Sequence, residues 1–257
     1  MNHDSFFNLI EEYAAPSSIL FRSIELKVVK HYMPPIAKKS VSIDIGCGDG
    51  LSSRILFGKT VTCGLDNDPA ELEKARQHNT FQHYICANAS SIPLKNTSVD
   101  FVFSNSVIEH IPDIHRVLSE ISRITKTGGT FLFTSPSDNF VTYSLFSQFG
   151  LDRISSPYLN WRQRKFNHFT CLSAKKWKAL LKKYNFTVVN SYYYIDKSTA
   201  EFWDTLLVIN WLLEQISRTF ARICYQHIFR SMIYKRYTLS HVTGPTGASV
   251  CIIAKKI

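Results

Sequence analysis

Val41-Ser42-Ile43-Asp44-Ile45-Gly46-Cys47-Gly48-Asp49-Gly50 is the stretch whose reading decides the fold. Its apolar, β-branched first half reads as a buried strand, and three glycines at alternate positions then read as a tight turn. Ser52–Phe57 follows as a helix start. Strand, glycine turn and helix in that order are found where an open α/β sheet receives a nucleotide. A ligand approaches the backbone closely only where no Cβ intervenes, and the turn needs dihedrals that glycine tolerates.

Outward from this turn, residues 41–136 alternate short β-branched runs with helical patterns, the βαβ grammar of a parallel sheet covered on both faces. Strands are predicted at Val41–Ile45, Thr60–Leu65, His83–Cys86, Val99–Ser104 and Gly129–Thr134. Pro69–Arg76 reads as a helix with Pro in its first turn. A second helix is predicted from about Ile114 to Thr125, ending at Gly128-Gly129, with Val117, Leu118, Ile121 and Ile124 on one face. Residues 137–167 are aromatic and polar with little periodicity, which predicts a loop or lid near the strand ends. Ser173 is placed to cap a helix running to about Tyr184, and Phe186–Ile195 and Ala248–Ala254 read as two more strands, making seven.

Between the last two strands, Phe202, Leu206, Ile209, Leu213, Ile216, Phe220 and Ile223 are spaced 4, 3, 4, 3, 4, 3, which predicts one continuous helical face on a long helix or helical pair. Glu214, Arg218 and Arg222 interrupt its apolar run, so it is not expected to span a bilayer. It is expected to pack on its own domain or a partner, or to lie on a membrane with Trp203 and Trp211 at the interface and Arg218, Arg222, Arg230, Lys235 and Arg236 towards phosphates.

The 257 residues carry a net charge of +10, unevenly spread. Residues 1–150 hold 13 Lys/Arg against 15 Asp/Glu, whereas residues 151–257 hold 17 against 5. The basic C-terminal part therefore sets a field suited to a phosphate-bearing substrate or an anionic membrane surface. Six cysteines without a CxxC or CxH pair suggest neither a disulfide framework nor a zinc site, and no metal ligand set is expected. The first residues lack a basic segment followed by an apolar one, so a cytoplasmic protein is expected, peripheral at most on the inner face of a membrane.

The acidic positions narrow the ligand. GxGxG differs from the GxGxxG of dinucleotide binders, and Asp44 beside the turn repels a pyrophosphate but suits a ligand with an ammonium and a sulfonium. Asp66, 22 residues after Asp44, is placed to accept from both hydroxyls of a ribose. Asp68 reads as the N-cap of the Pro69 helix.

The blocks Asp44–Gly50, Gly64-Leu65-Asp66, Ala87-Asn88-Ala89 with Ile92-Pro93-Leu94, Val99–Asn105, Glu109-His110-Ile111 and Lys126–Thr130 together resemble the class I methyltransferases of the UbiE/UbiG-like, methyltransferase domain 11 type, over about residues 40–136. The resemblance implies an α/β, Rossmann-like, seven-stranded sheet with the last strand antiparallel, and S-adenosyl-L-methionine as the methyl donor. It implies that Gly46 and Gly48 lie against the methionine part, that Asp66 holds the ribose, that Asn88 with Ala89 borders the adenine, and that Asn105 or Ser106 lines the methyl side; Asp44, Cys47, Gly50 and Asn67 are further candidate cofactor-binding residues. Asn88 departs from the family's usual Asp and can still accept through its amide oxygen.

A single domain over residues 1–257 is expected: a cofactor core at 40–136, an acceptor-side region at 137–195, a helical insertion at 196–245 and the last strand at 248–254. Methyl transfer is an in-line displacement that needs a general base only for a poorly ionised hydroxyl. His110 and His168 are the candidate catalytic residues, and Tyr143, Tyr158 and Trp161 candidates for shaping the acceptor pocket. The acceptor is expected to be a small molecule, a lipid such as a quinone-like lipid, or a lipid-linked glycan, methylated on oxygen. Nucleic acid is not expected, since no RNA-binding module or dense basic-aromatic patch is present. The alternatives are a non-catalytic S-adenosylmethionine binder and an NAD-dependent oxidoreductase, the latter disfavoured by the glycine spacing.

Overall fold

The computed structural model describes residues 15–37, 39–58, 61–144, 152–239 and 244–257. Helix α1 (Pro16–Tyr32) leads into strand β1 (Ser42–Ile45) and helix α2 (Leu51–Phe57). Strand β2 (Cys63–Asp66), helix α3 (Pro69–Gln77), strand β3 (His83–Cys86) and strand β4 (Val99–Asn105) follow. A 3-10 turn (Ile108–His110), helix α4 (Ile114–Ile124) and strand β5 (Thr125–Pro136) complete the first part of the sheet. Next come helices α5 (Asn139–Thr142), α6 (Asp152–Phe166) and α7 (Ala174–Lys182), strand β6 (Phe186–Tyr194), helices α8 (Lys197–Ile216) and α9 (Arg218–Cys224), a π-helical turn (Tyr225–Phe229), helix α10 (Arg230–Leu239) and strand β7 (Ser249–Lys256).

The seven strands form one sheet in the order β3-β2-β1-β4-β5-β7-β6, with β7 antiparallel to both neighbours and β1 to β5 parallel. The seven-stranded, mostly parallel, Rossmann-like sheet is thus the one expected. Alternating side chains divide the core. Phe101, Phe103, Leu132, Cys251 and Ile253 face the layer containing α1, α2 and α8, while Val102, Phe131, Phe133, Val250 and Ile252 face α4 and α7. Helix α4 buries Ile114, Val117, Leu118, Ile121 and Ile124, the stripe legible in the sequence, and Asp113 caps it by accepting from Arg116 N at 3.0 Å.

Three expectations need correction. Gly128-Gly129 does not stop α4, which ends at Ile124; β5 begins at once at Thr125. Pairing jumps from Val99↔Thr125 to Phe101↔Thr130, so the glycines form an irregularity inside the strand, with Gly128 at φ +78° and Lys126 held by Asp100 at 2.8 Å. Residues 137–167 are not simply a loop, since α5 and α6 lie there, hidden by their sparse apolar periodicity. The stripe from Phe202 to Ile223 is not one continuous face. Ser217 is extended and ends α8, and its side chain caps α9 by accepting from Phe220 N at 3.4 Å. Only the first half of α8 buries its side chains, among them Trp203, Leu206 and Leu207, whereas Ile216, Phe220 and Ile223 are exposed. Thr60, expected at the start of β2, lies outside the described residues.

Helix α1 was not anticipated. It packs against α8 and α10 and is buried on several sides, through Ser17, Ser23 and Glu25 as well as Ile19, Leu20, Ile24, Leu26, Val28 and Val29. A helix buried on several sides, with polar residues among the buried ones, lacks the one-sided apolar stripe by which a surface helix is recognised.

Candidate active site

The carboxyl ends of the parallel strands set the site. Because β1 lies between β2 and β4, the connections leaving β1 and β4 diverge and open a crevice there. Gly46 N and Cys47 N donate to Leu65 O at 2.7 and 3.0 Å, folding the glycine turn over the end of β2. Gly46 has φ +72°, and a Cβ there would come within 2.3 Å of Val107 Cγ1, so this position admits only glycine without rearrangement. At Gly48, φ is +52° and the nearest atom to a Cβ is Glu71 Oε2 at 4.0 Å. Gly48 therefore borders open volume, as a ligand-facing glycine does.

Gly46, Cys47 and Gly48 line a crevice of about 220 Å³ together with Asp44, Asn105 and Ser106. Asp44 is buried, with Oδ2 accepting from Ser53 Oγ at 2.7 Å and Oδ1 without a hydrogen-bond partner among the described residues. Burial raises its pKa from 3.8 to about 7, Ser53 offsets part of this, and Asp66 adds to it. A buried, under-satisfied carboxylate at the crevice wall suits a cationic group. Gly50 begins α2 rather than lining the crevice.

The other expected donor contacts stand along the strand ends outside this crevice. Asp66 accepts from Gly48 N at 2.8 Å through Oδ2 and from Asp68 N at 2.9 Å through Oδ1, tying the glycine turn to the loop after β2. Each of its oxygens keeps a further lone pair. Asn67 is exposed beside it, and Asp68 caps α3 by accepting from Ala70 N at 2.8 Å. Exposed Asn88 accepts from Ser90 N at 2.8 Å, a turn-forming bond that occupies one lone pair of its amide oxygen; Ala89 is buried.

Asn105 and Ser106 end β4 and meet a residue that the sequence reading missed. Glu25 of α1 is fully buried and accepts from Asn105 Nδ2 at 3.0 Å, Ser106 Oγ at 2.5 Å, Tyr194 OH at 2.8 Å and Arg22 Nη1 at 2.5 Å. Four donors from three elements satisfy one carboxylate and fix the end of β4. Nothing local marks Glu25, since an acidic residue in an apolar helix gains meaning only from what the fold sets opposite it.

Next to the crevice lies a second cavity of about 240 Å³, between α1, the ends of β4 and β5, α6 and α8. His110 and His168 both line it, with ring centroids 4.9 Å apart. Burial lowers the pKa of both imidazoles, that of His168 to about 3 with help from His110 and Arg162, so both are neutral near pH 7. None of Tyr143, Tyr158 and Trp161 lines this cavity; its aromatic wall is Phe21, Phe140, Phe166, Trp203 and Trp211. Tyr143 instead donates to Thr246 Oγ1 at 3.0 Å, and Tyr158 packs against Trp161.

The methyltransferase domain family matches residues 43–133. Malonyl-[acyl-carrier protein] O-methyltransferase of Serratia marcescens is 37% identical over 95 residues, covering 36% of this chain and 37% of that protein. The corresponding enzyme of Yersinia pestis is 38% identical over 97 residues, covering 37% and 36%. The aligned region thus spans less than two fifths of these relatives' own length. Among solved structures, a SAM-dependent methyltransferase from Thermotoga maritima superposes with a TM-score of 0.62 at 18% identity, covering 99% of this chain and 94% of that one. A geranyl diphosphate C-methyltransferase from Streptomyces coelicolor gives 0.57 at 16% identity, covering 91% and 79%. At these identities the structures speak for the fold alone, and they share it over almost the whole chain. Residues 43–133 thus match a methyltransferase domain, within a fold that the whole chain shares with solved methyltransferases.

Proposed function

We propose that the protein transfers the methyl group of S-adenosylmethionine to an oxygen of an acceptor with an apolar body and a carboxylate or hydroxyl end, either free or linked to a carrier. The observation that carries this reading is that the crevice at the glycine turn and the aromatic cavity share Arg22 and Ser106 as walls. In-line displacement at a sulfonium methyl requires donor and acceptor chambers to meet in this way. The donor's ammonium lies towards Asp44, its ribose towards Asp66 and Asn67, and its adenine beyond Asn88 and Ala89. Phe21, Phe140, Phe166 and Trp203 face the apolar body of the acceptor, and His110 and His168 border its polar end. A carboxylate attacks without a general base, so transfer to it asks the protein only for alignment and exclusion of water. The malonyl-carrier O-methyltransferases among the relatives support an oxygen acceptor.

The test is incubation with methyl-labelled S-adenosylmethionine and a panel of malonyl-loaded carrier protein, free carboxylic acids and quinol-like lipids. Label in a base-labile ester is expected if the acceptor is a carboxylate. Thermal stabilisation by NADH and none by S-adenosylhomocysteine would overturn the reading.

A second reading, peripheral attachment to an anionic bilayer, is favoured by one observation. Ile216, Phe220, Ile223, Ile228 and Met232 are exposed along α9, its neighbours and α10, and Arg222, Arg230 and Lys235 are exposed among them. No helix among the described residues is long and apolar enough to cross a membrane. Co-sedimentation with anionic but not zwitterionic liposomes, weakened by Phe220→Ser and Ile223→Ser, is the expected result. No co-sedimentation at low salt would refute it.

A further inference from the structure

Glu109, His110 and His168 converge on the wall of the aromatic cavity although His168 is remote in sequence, and nothing in their spacing marks them as a set. We propose that these three side chains form a binding site for a divalent transition-metal ion, with two imidazole nitrogens and one carboxylate oxygen as ligands.

The three ligand atoms lie within 4.8 Å of one another. An ion at the centre of a triangle of that size would stand about 2.8 Å from each atom, against roughly 2.0–2.2 Å in a formed zinc site. Side-chain movements of under about 1 Å close the gap. His110, on the exposed side of the cluster, has room to make them.

The surroundings favour a cation. The Glu109 side chain is 1% exposed, its Oε1 lies 4.0 Å from His110 Nε2, and its Oε2 has no hydrogen-bond partner among the described residues. A buried carboxylate oxygen without a donor is costly, and a bound cation removes that cost. His110 Nδ1 faces the carbonyl oxygen of Asn167 at 3.4 Å. A carbonyl only accepts, so a hydrogen on Nδ1 would satisfy this contact and leave the Nε2 lone pair for an ion beside Glu109. Metal-bound histidines are held in this way, the far nitrogen donating to a carbonyl. The backbone holds the parts together, with Phe169 N and Thr170 N donating to Glu109 O at 2.7 and 3.3 Å and so tying the strand of chain after His168 to the 3-10 turn.

Two imidazoles and a carboxylate select zinc, cobalt, manganese or ferrous iron over calcium or magnesium, which take oxygen ligands. Three protein ligands leave coordination positions open, and all three residues line the cavity, so the open positions face the proposed acceptor. An ion there would orient and polarise an acceptor oxygen. That role rests on the proposed function; the binding itself does not.

The test is titration of the full chain, stripped with EDTA, with Co2+ and Zn2+ by calorimetry, and with Co2+ by visible absorption. One saturating equivalent is expected, weakened at least about tenfold in each of His168→Gln, His110→Gln and Glu109→Gln. His115→Gln, an exposed imidazole on α4 outside the cluster, should bind as the wild type does. S-adenosylhomocysteine binding, measured on the same samples, reports intact folding and tests the donor site separately. Absence of saturable Co2+ binding by wild-type protein that still binds S-adenosylhomocysteine overturns the metal site and leaves the donor reading standing. Undiminished binding in His110→Gln/His168→Gln also overturns it.

Discussion

Replacing Glu25 with Gln keeps the size and shape of the side chain but exchanges one acceptor oxygen for a donor. Oε1 now accepts from Ser106 Oγ at 2.5 Å and Tyr194 OH at 2.8 Å, and Oε2 from Arg22 Nη1 at 2.5 Å and Asn105 Nδ2 at 3.0 Å. The amide can keep its oxygen on Arg22 and Asn105, which only donate, and turn its NH2 to the Ser106 and Tyr194 hydroxyls, which can accept, but all four bonds then lose the carboxylate charge. A hydrogen bond to a charged group contributes about 1.5–3 kcal/mol against about 0.5–1.5 kcal/mol for a neutral one, so weakening four predicts a loss of about 4–6 kcal/mol. Arg22, whose side chain is 29% exposed, recovers part of its loss from water, which puts the expectation at about 3–5 kcal/mol. For a chain of this size that lowers the Tm by about 6–20 °C. Tyr194→Phe removes a single donor and should cost about 1–2 kcal/mol, less than additively with Glu25→Gln because the two share a bond. Urea unfolding of both single variants and the double variant, with m-values compared, is the assay. A loss below about 1 kcal/mol in Glu25→Gln would refute the reasoning, because the four donors would then be satisfied as well elsewhere.

Donor affinity should depend on the ionisation of Asp44. Its pKa stands raised at about 7, so its contribution to the stability of the free protein is fully present below the ordinary value of 3.8 and is lost as pH rises through 7. A cationic donor reverses this preference, so S-adenosylmethionine should bind at least roughly tenfold tighter at pH 7.5 than at pH 5.5, and Asp44→Asn should flatten the dependence in calorimetric titrations. Gly46→Ala meets Val107 at 2.3 Å with φ at +72° and should destabilise the fold by about 2–4 kcal/mol. Gly48→Arg enters open space and should cost about 1–2 kcal/mol through φ +52° while abolishing donor binding, so denaturation and ligand-shift assays should separate the two glycines. Asp204→Ala strands the buried Arg162 guanidinium, now 3.1 Å from Asp204, and should cost about 3–5 kcal/mol. Arg162→Met/Asp204→Leu should recover most of that loss in the same denaturation assay.

Local chemistry was legible residue by residue. Asp68 and Ser173 cap their helices because a short acceptor side chain ahead of a helix has one obvious use. The strands β1 to β5 follow β-branched runs that neighbouring helices must bury, and the Gly46 turn shows itself because few residues other than glycine enter the left-handed region three times in five positions. The Phe202–Ile223 stripe misled for the opposite reason: periodicity records which residues could share a face, not whether a break at Ser217 turns that face away from the core.

By itself, then, the sequence determined the order of the seven strands, the helices α2, α3, α4 and α7, the glycine turn and the acidic residues near the ends of β1 and β2, because each depends on backbone preferences and side chains within a few positions. Only the tertiary structure decided that Glu25 of α1 clasps the end of β4, that Phe140 and Trp203 rather than Tyr143 and Trp161 wall the second cavity, and that His168 meets Glu109 and His110. Those contacts join residues far apart along the chain. Their partners are set by how the helices pack on the sheet, and no local spacing records that packing.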